Sequence, residues 1–179
     1  AFIPFPRGKQ EPQIAKLLSI LQKAMSGRVV TKNENFYLKN AMGELEFPLL
    51  AEGFRKLGLL YTLICNGTLT KGTVLFWDEP EANLNPKLAK TLVQILLELQ
   101  RMGVQIFIST HDYVLLKEFD LAAKKDDMIT YHTLYRAEDG DIQHIETNNF
   151  DSIAPNAIDD TYGDLLNREF QKQYEKNHR

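Results

Sequence analysis

Two adjacent carboxylates at the end of an apolar stretch are the residues of this sequence best suited to chemistry. Residues 73–77, Thr-Val-Leu-Phe-Trp, are typical of a strand buried on both faces of a parallel sheet, and Asp78 and Glu79 follow directly. Open α/β sheets bind ligands outside the carboxyl ends of their strands. Acidic groups there suit a metal-assisted phosphate reaction, in which Asp78 would hold Mg²⁺ and Glu79 would orient or deprotonate the attacking water. The alternative is a core strand that ends in a surface Asp-Glu pair.

A strand–helix–strand unit over residues 73–108 positions these carboxylates. Asn85 is a suitable N-cap for the helix, whose apolar residues recur every three or four positions. Residues 104–108, Val-Gln-Ile-Phe-Ile, form the second predicted strand, and a crossover of this kind is parallel and right-handed. His111 follows the second strand closely, so we expect it at the same sheet edge as Glu79.

The stretch over residues 73–86 resembles the Walker B motif and D-loop of the ABC-type ATPases. The resemblance is closest to a soluble branch: the RecF, SMC and Rad50 relatives, the ATPase domains of overcoming-lysogenisation-type nucleases, and similar prokaryotic defence proteins. It implies that Glu79 is catalytic and that His111 reaches the γ-phosphate of ATP. It also implies that Asn83 and Asn85 lie at an interface between two such domains. The resemblance covers roughly residues 36–120.

A second stretch, residues 48–58, resembles the ABC signature segment, whose usual form is Leu-Ser-Gly-Gly-Gln at the start of a helix. Laid on that form, only the leucine and the second glycine match. The resemblance implies nucleotide contacts from Ala51, Gly53 and Arg55 through a helix N-terminus with free N–H groups. Glu52 adds negative charge there, which we expect to turn away or to pair with Arg55 or Lys56. The alternative is a buried helix with two exposed cations.

The 179 residues contain no Gly-x-x-x-x-Gly-Lys-Ser/Thr phosphate-binding loop. Gly8-Lys9 is followed by Gln10 and lacks both an upstream glycine and a preceding strand. The nucleotide site of this chain is therefore expected to be incomplete. Two explanations stay open: the sequence is the C-terminal portion of a longer ATPase, which the intact carboxylates and His111 favour, or it is a naturally split or degenerate protein.

The rest of the sequence predicts three helices, one of them a short helix over residues 113–120, and several antiparallel strands. A helix is expected over residues 13–26 and a helical tail from Pro155, and the prolines at positions 4, 6 and 12 exclude a regular helix at the start. Short strands are expected at 28–31, 35–39 and 44–47, and a hairpin at 128–135 and 142–146. Residues 124–127 are predicted to form a solvated charged turn. His132 and His144 show no metal-binding spacing and are interpreted as ordinary strand residues.

Composition and charge restrict the possible functions further. A chain of 179 residues with 44% hydrophobic residues fits one domain, residues 1–179. The net charge of −3 gives no basic footprint for nucleic acid. The single Cys65 cannot form an internal disulfide, which favours a reducing cytoplasm. The longest apolar stretch, residues 57–65, is too short to span a bilayer, so no membrane partner is expected.

The predicted fold class is α/β, with a parallel-sheet core like that of P-loop NTPases, helices on both faces and added antiparallel hairpins. The resemblance implies Mg²⁺-dependent ATP binding and hydrolysis, with composite sites formed when a second copy of the domain associates. DNA repair and phage defence are the processes it suggests, with DNA or an effector protein as further partners. The alternative is a non-catalytic interaction module that retains the fold but not nucleotide binding. The nucleotide-binding domain of a membrane transporter is a weaker third possibility.

Overall fold

The structure is a computed structural model that describes residues 11–32 and 35–177. Its helices and strands are α1 (Pro12–Ala24), β1 (Arg28–Lys32), β2 (Asn35–Asn40), β3 (Gly43–Glu46), α2 (Glu52–Cys65), β4 (Val74–Asp78), α3 (Ala89–Arg101), β5 (Gln105–Ser109), α4 (Tyr113–Ala122), β6 (Tyr131–Arg136), β7 (Ile142–Thr147) and α5 (Ala157–Asn177). The expectations for the prolines at positions 4 and 6 and for Gly8-Lys9 lie outside the described residues.

The predicted strand–helix–strand unit is present. β4 and β5 pair in parallel from Val74 opposite Gln105 to Asp78 opposite Ser109, and α3 is the crossover helix between them. Together with the antiparallel sheets, this confirms the α/β fold class. The register matters for function because it aligns the ends of the two strands, and with them the loops that carry the candidate catalytic side chains.

The prediction that β4 is buried on both faces is wrong. Leu75 and Trp77 pack against the core, but Phe76, on the opposite face, is 76% exposed. The ring of Phe76 stacks on that of Phe107 in β5, with centroids 4.9 Å apart. The physical reason is that β4 and β5 form a two-stranded sheet whose helices cover one face, and none of the described residues covers the other.

The core is built by three helices that pack around one apolar cluster. α1, α2 and α3 each present leucines or isoleucines spaced by three or four residues, as an amphipathic helix requires. The most buried of these side chains are Leu17, Leu21, Leu57, Leu60, Ile64, Leu92, Ile95, Leu96 and Leu99. Fully burying a side chain of this size stabilises a fold by about 1.5–3 kcal/mol, so this cluster fixes α2 and α3 against α1, which packs on both.

Two antiparallel sheets flank this core. β1, β2 and β3 form a three-stranded sheet in that order, with a turn over residues 40–43. β6 and β7 form a separate hairpin, closed at its turn by a hydrogen bond from the Ala137 N–H to the Asp141 carbonyl, 2.9 Å. Both were expected, although β6 begins at Tyr131 and not at residue 128.

The prediction that residues 124–127 form a solvated charged turn is confirmed for the exposed Lys124, Lys125 and Asp126 and is wrong for Asp127. The Asp127 side chain is only 2% exposed. Its two oxygens accept hydrogen bonds from Arg101 Nε at 2.8 Å and Nη2 at 2.5 Å, and Oδ2 also accepts from the Lys124 N–H. The Arg101 guanidinium lowers the pKa of Asp127, and Asp127 in turn raises the pKa of Arg101. The pair therefore fastens the end of α3 to the turn after α4.

The C-terminal helix α5 is exposed over nearly its whole length. None of its residues is buried, and its described contact with the rest of the fold includes the stacked rings of Tyr113 and Tyr162, with centroids 4.1 Å apart. Within residues 11–32 and 35–177, no helix is long and apolar enough to cross a membrane.

Candidate active site

The parallel register of β4 and β5 brings the predicted acidic residues together with the loop after β5. Asp78 lies opposite Ser109, and the Ser109 hydroxyl donates a hydrogen bond to the Asp78 carboxylate. The Glu79 N–H donates to the Ser109 carbonyl at 2.9 Å, which continues the pairing one residue past the strands. These bonds fix the positions of Asp78 and Glu79 relative to the next loop.

Glu79 and His111 are in direct contact. Nδ1 of His111 lies 3.0 Å from Oε1 of Glu79, although the two residues lie in different loops. Both side chains face solvent, with 76% of His111 and 46% of Glu79 exposed. The expectation that they share one sheet edge is met by this geometry. Their catalytic roles stay predictions.

The backbone at Glu79 is strained. Its φ of 44° lies in the left-handed region, which non-glycine residues seldom adopt and which tends to occur at functional sites. Lys56 of α2 holds this turn: its Nζ donates to the Glu79 carbonyl at 2.8 Å and to the Ala82 carbonyl at 2.9 Å. We call residues 78–85 the acidic loop. From the sequence, Lys56 was expected to pair with Glu52 or to be an exposed cation, and no spacing signal indicated this contact.

Glu81 is a further residue of this site that the sequence did not indicate. Its Oε1 accepts a hydrogen bond from the Thr110 hydroxyl, and its Oε2 is buried with no hydrogen-bond partner among the described residues. Thr110 in turn accepts from the Asp112 N–H, and Asp112 caps α4 by accepting from the Leu115 N–H at 2.6 Å. The available signal was the pair of hydroxyls, Ser109 and Thr110, directly after the second predicted strand.

The start of α2 packs tightly against the acidic loop of the same chain. A Cβ atom on Gly53 would lie 2.7 Å from the Asn83 carbonyl oxygen, which is too close for any side chain. The Glu52 carboxylate accepts a hydrogen bond from Asn83 Nδ2 at 2.7 Å. Of the two alternatives for Glu52, pairing with Arg55 or Lys56 is wrong, because Asn83 is its hydrogen-bond partner among the described residues, and turning away from phosphate stays a prediction.

The other predicted binding residues lie around this junction. Ala51 precedes α2, and its carbonyl accepts from the Phe54 and Arg55 N–H groups. The exposed Arg55 side chain makes no hydrogen bond or ion pair with the part of the chain that the structure describes. Asn85 caps the turn before α3 by accepting from the Lys87 N–H at 3.0 Å, as predicted. The predicted site residues thus form two groups, one around Glu79 and one around Asn83. Lys56 links the two groups through its bonds to the Glu79 and Ala82 carbonyls.

The donor set at this edge fits Mg²⁺. Hard oxygen donors, which Mg²⁺ prefers, lie at this edge: the Asp78 carboxylate with the Ser109 hydroxyl bonded to it, and the exposed Glu79 carboxylate one residue on. The His111 imidazole adds a nitrogen donor beside these oxygens, because its Nδ1 contacts Glu79 Oε1. Asp78 would hold the metal in this arrangement, and that role stays a prediction.

Comparisons with known proteins agree with this fold. Residues 10–117 match the protein family described as "AAA domain, putative AbiEii toxin, Type IV TA system". A curated relative is the energy-coupling factor transporter ATP-binding protein EcfA of Methanothermobacter thermautotrophicus, 39% identical over 49 residues. That match covers 27% of this chain and only 16% of the relative.

Solved structures of SMC head domains share the fold. The Smc head domain of Pyrococcus yayanosii superposes with a TM-score of 0.60 at 16% identity, over 84% of this chain and 29% of that one. An SMC ATPase studied for ATP-driven dimerisation and DNA-stimulated activation gives a TM-score of 0.53 at 13% identity, over 75% of this chain and 83% of that one. The family match covers more than half of the sequence. The chain therefore belongs to the family described as "AAA domain, putative AbiEii toxin, Type IV TA system", and it shares the fold of the SMC head domains.

Proposed function

We propose that this domain takes part in Mg²⁺-dependent ATP hydrolysis at a site completed by association of two copies. The observation that carries the proposal is the 3.0 Å contact between Glu79 and His111 beside Asp78, at the carboxyl end of a parallel strand pair. This is the edge at which open α/β folds bind ligands. The curated relative is an ATP-binding protein, which supports the same ligand for this chain.

Each residue of the edge has a distinct role in this proposal. Glu79 accepts the proton of the attacking water, and its exposed carboxylate is accessible to that water. His111 holds the Glu79 carboxylate and contacts the γ-phosphate. Asp78 holds Mg²⁺, which neutralises charge on the phosphates when bound. The hydrogen bonds from Ser109 and Thr110 to Asp78 and Glu81 keep the acidic loop in place while these contacts form.

The second group of residues forms the contact with the nucleotide of the other copy. Ala51 and Arg55 lie exposed at the start of α2, where unpaired N–H groups carry partial positive charge. The Glu52 charge is held by Asn83, which reduces its repulsion of phosphate. Gly53 allows the close packing of this helix on the acidic loop, to which the exposed Asn83 and Asn85 belong.

The partners in this proposal follow from the structural relatives. The SMC ATPase with the same fold dimerises in an ATP-driven manner, which supports a second copy of this domain as the partner. The activity of that ATPase is stimulated by DNA. DNA or an effector protein, in DNA repair or phage defence, is therefore the proposed further partner.

A phosphate-binding loop has to come from residues outside these 179, since they contain none. We therefore expect the 179-residue chain alone to bind Mg-ATP weakly or not at all. A second candidate function is a non-catalytic interaction module. The exposed Phe76–Phe107 stack favours this function, because an apolar surface of this kind suits contact with another protein. In the ATPase proposal, the same surface would instead be covered by the part of the domain that these residues lack.

The test is Glu79→Gln in a form of the protein that includes a phosphate-binding loop. This substitution keeps the shape of the side chain but removes the base, so turnover should fall by about 10²–10⁴ while Mg-ATP binding persists. Glu138→Gln, which changes an exposed carboxylate in the β6–β7 turn, is the matched control. Light scattering of the Glu79→Gln protein should show an ATP-dependent dimer. Unchanged turnover would refute the role of Glu79, and absence of any ATP binding would favour the interaction module.

A further inference from the structure

The β6–β7 hairpin carries a cluster of side chains that the proposed ATPase function does not use. The strand register places His132 opposite Glu146 and Leu134 opposite His144, so the two histidines and the glutamate project from one face. Nδ1 of His132 lies 2.9 Å from Nε2 of His144 and 3.7 Å from Glu146 Oε2. One ligand atom from each of the three residues lies within 4.8 Å of the other two.

The chemistry of these ligand atoms selects a borderline transition metal. Two imidazole nitrogens and one carboxylate oxygen are a common ligand set for Zn²⁺, whereas Mg²⁺ and Ca²⁺ prefer oxygen alone. Tetrahedral Zn²⁺ with bonds of about 2.0–2.1 Å separates two ligand nitrogens by about 3.3 Å. The observed nitrogen separation of 2.9 Å therefore needs to grow by only a few tenths of an ångström. Both rings are exposed and free to turn by that amount.

A direct hydrogen bond between the two imidazoles is the alternative explanation for the short distance. The rings are also stacked, with centroids 5.2 Å apart. An exposed pair of this kind competes with water for its hydrogen bond and gains little net stability. The hairpin itself is a separate two-stranded sheet, and such a hairpin is only marginally stable in water. A metal ion with ligands from both strands would crosslink β6 and β7. A single exposed hydrogen bond between the imidazoles stabilises that pairing only weakly.

We propose that His132, His144 and Glu146 bind Zn²⁺. His132 comes from β6 and the other two ligands from β7, so the metal crosslinks the hairpin. Three protein ligands leave one tetrahedral position open, which water or a side chain of a partner protein fills. The sequence did not reveal this site because the ligands do not follow a local metal-binding motif, and only the antiparallel register brings them together.

The experiment is a Zn²⁺ titration of the untagged 179-residue chain against a chromophoric chelator. We expect one Zn²⁺ per chain. His132→Ala, His144→Ala and Glu146→Gln should each weaken Zn²⁺ binding by at least about tenfold, since even loss of groups behind the ligands costs about 10–100-fold in known sites. Gln143→Ala lies on the other face of β7 and should leave affinity unchanged. His111→Ala should also leave it unchanged, which separates this site from the Glu79–His111 pair.

Circular dichroism of each variant checks that the fold is retained, and Co²⁺ substitution reports coordination independently. A Co²⁺ spectrum typical of tetrahedral coordination in the wild type, lost in the His132→Ala/His144→Ala double variant, supports the site. The proposal is overturned if the wild type binds no Zn²⁺, if the double variant binds it as tightly as the wild type, or if His111→Ala removes it instead.

Discussion

The contact of Lys56 with the acidic loop gives a sharp prediction about stability. The Lys56 ammonium donates hydrogen bonds to the carbonyls of Glu79 and Ala82, at 2.8 and 2.9 Å, from a half-buried position on α2. Lys56→Met keeps much of the aliphatic stem and removes both donors. The two carbonyls then lose a charged partner, and the left-handed backbone of Glu79 loses the group that holds it.

The expected cost is about 2 kcal/mol. A hydrogen bond that involves a charged group contributes roughly 1.5–3 kcal/mol net, and two would give more if water could not replace them. Water reaches this half-buried site in part, and relaxation of the strained Glu79 backbone recovers some energy, so the expected value stays near the lower end. For a domain of this length, about 2 kcal/mol corresponds to a fall in Tm of about 4–8 °C.

Urea unfolding of the 179-residue chain, followed by circular dichroism, measures this cost directly. Arg55→Met is the matched control, since Arg55 is the neighbouring cation on the same helix and makes no hydrogen bond or ion pair with the described residues. It should change stability by less than about 0.5 kcal/mol. If Lys56→Met is no more destabilising than Arg55→Met, Lys56 does not support the acidic loop.

Three further predictions concern other contacts of the fold and the site. Asp127→Asn should cost about 1–3 kcal/mol at neutral pH, because it removes the charged partner of Arg101. The pKa of Asp127 is lowered in the folded state. Its contribution to stability is therefore present above the ordinary aspartate pKa of about 4 and is lost as the pH falls through the lowered value. The urea midpoints of wild type and variant should accordingly converge in acid. In a form with a phosphate-binding loop, His111→Ala should lower turnover more than ADP affinity, because ADP has no γ-phosphate; equal losses for ATP and ADP would indicate a structural histidine. In the same form, Arg55→Glu should abolish ATP-dependent dimerisation seen by light scattering while monomer nucleotide binding persists, and a dimer of unchanged stability would exclude Arg55 from the interface.

The strand–helix–strand unit and the shared edge of Glu79 and His111 were predictable from the sequence. A short apolar run that ends in carboxylates, a capped amphipathic helix and a second apolar run leave few topologies. The parallel crossover then places both strand ends together whatever the details of packing. The one error in this unit was the burial of both sheet faces. Phe76 is apolar and its position in the run indicates burial, yet hydrophobicity alone does not say whether a covering element is present.

The contacts that support the site could not be predicted, because they depend on packing between distant segments. Lys56 reaches the acidic loop only because α2 packs beside it, and a lysine on a helix is ordinarily solvated. Asp127 lies in a run of charges typical of a surface turn, and its burial depends on where α3 places Arg101. The histidine cluster on β6 and β7 requires a specific register, which hairpin propensity does not fix.

The packing of α2 on the acidic loop also decides which substitution tests the composite site. Gly53→Asp is the natural choice from the resemblance, since it places negative charge at the start of α2. In the structure, any Cβ on Gly53 meets the Asn83 carbonyl at 2.7 Å, so this substitution displaces the acidic loop of its own chain. The same displacement would strain the Lys56 bond to Glu79, and the loss of dimerisation could not be separated from damage to the catalytic edge. Arg55 avoids this problem because its side chain is exposed, and for that reason it reports on the interface alone.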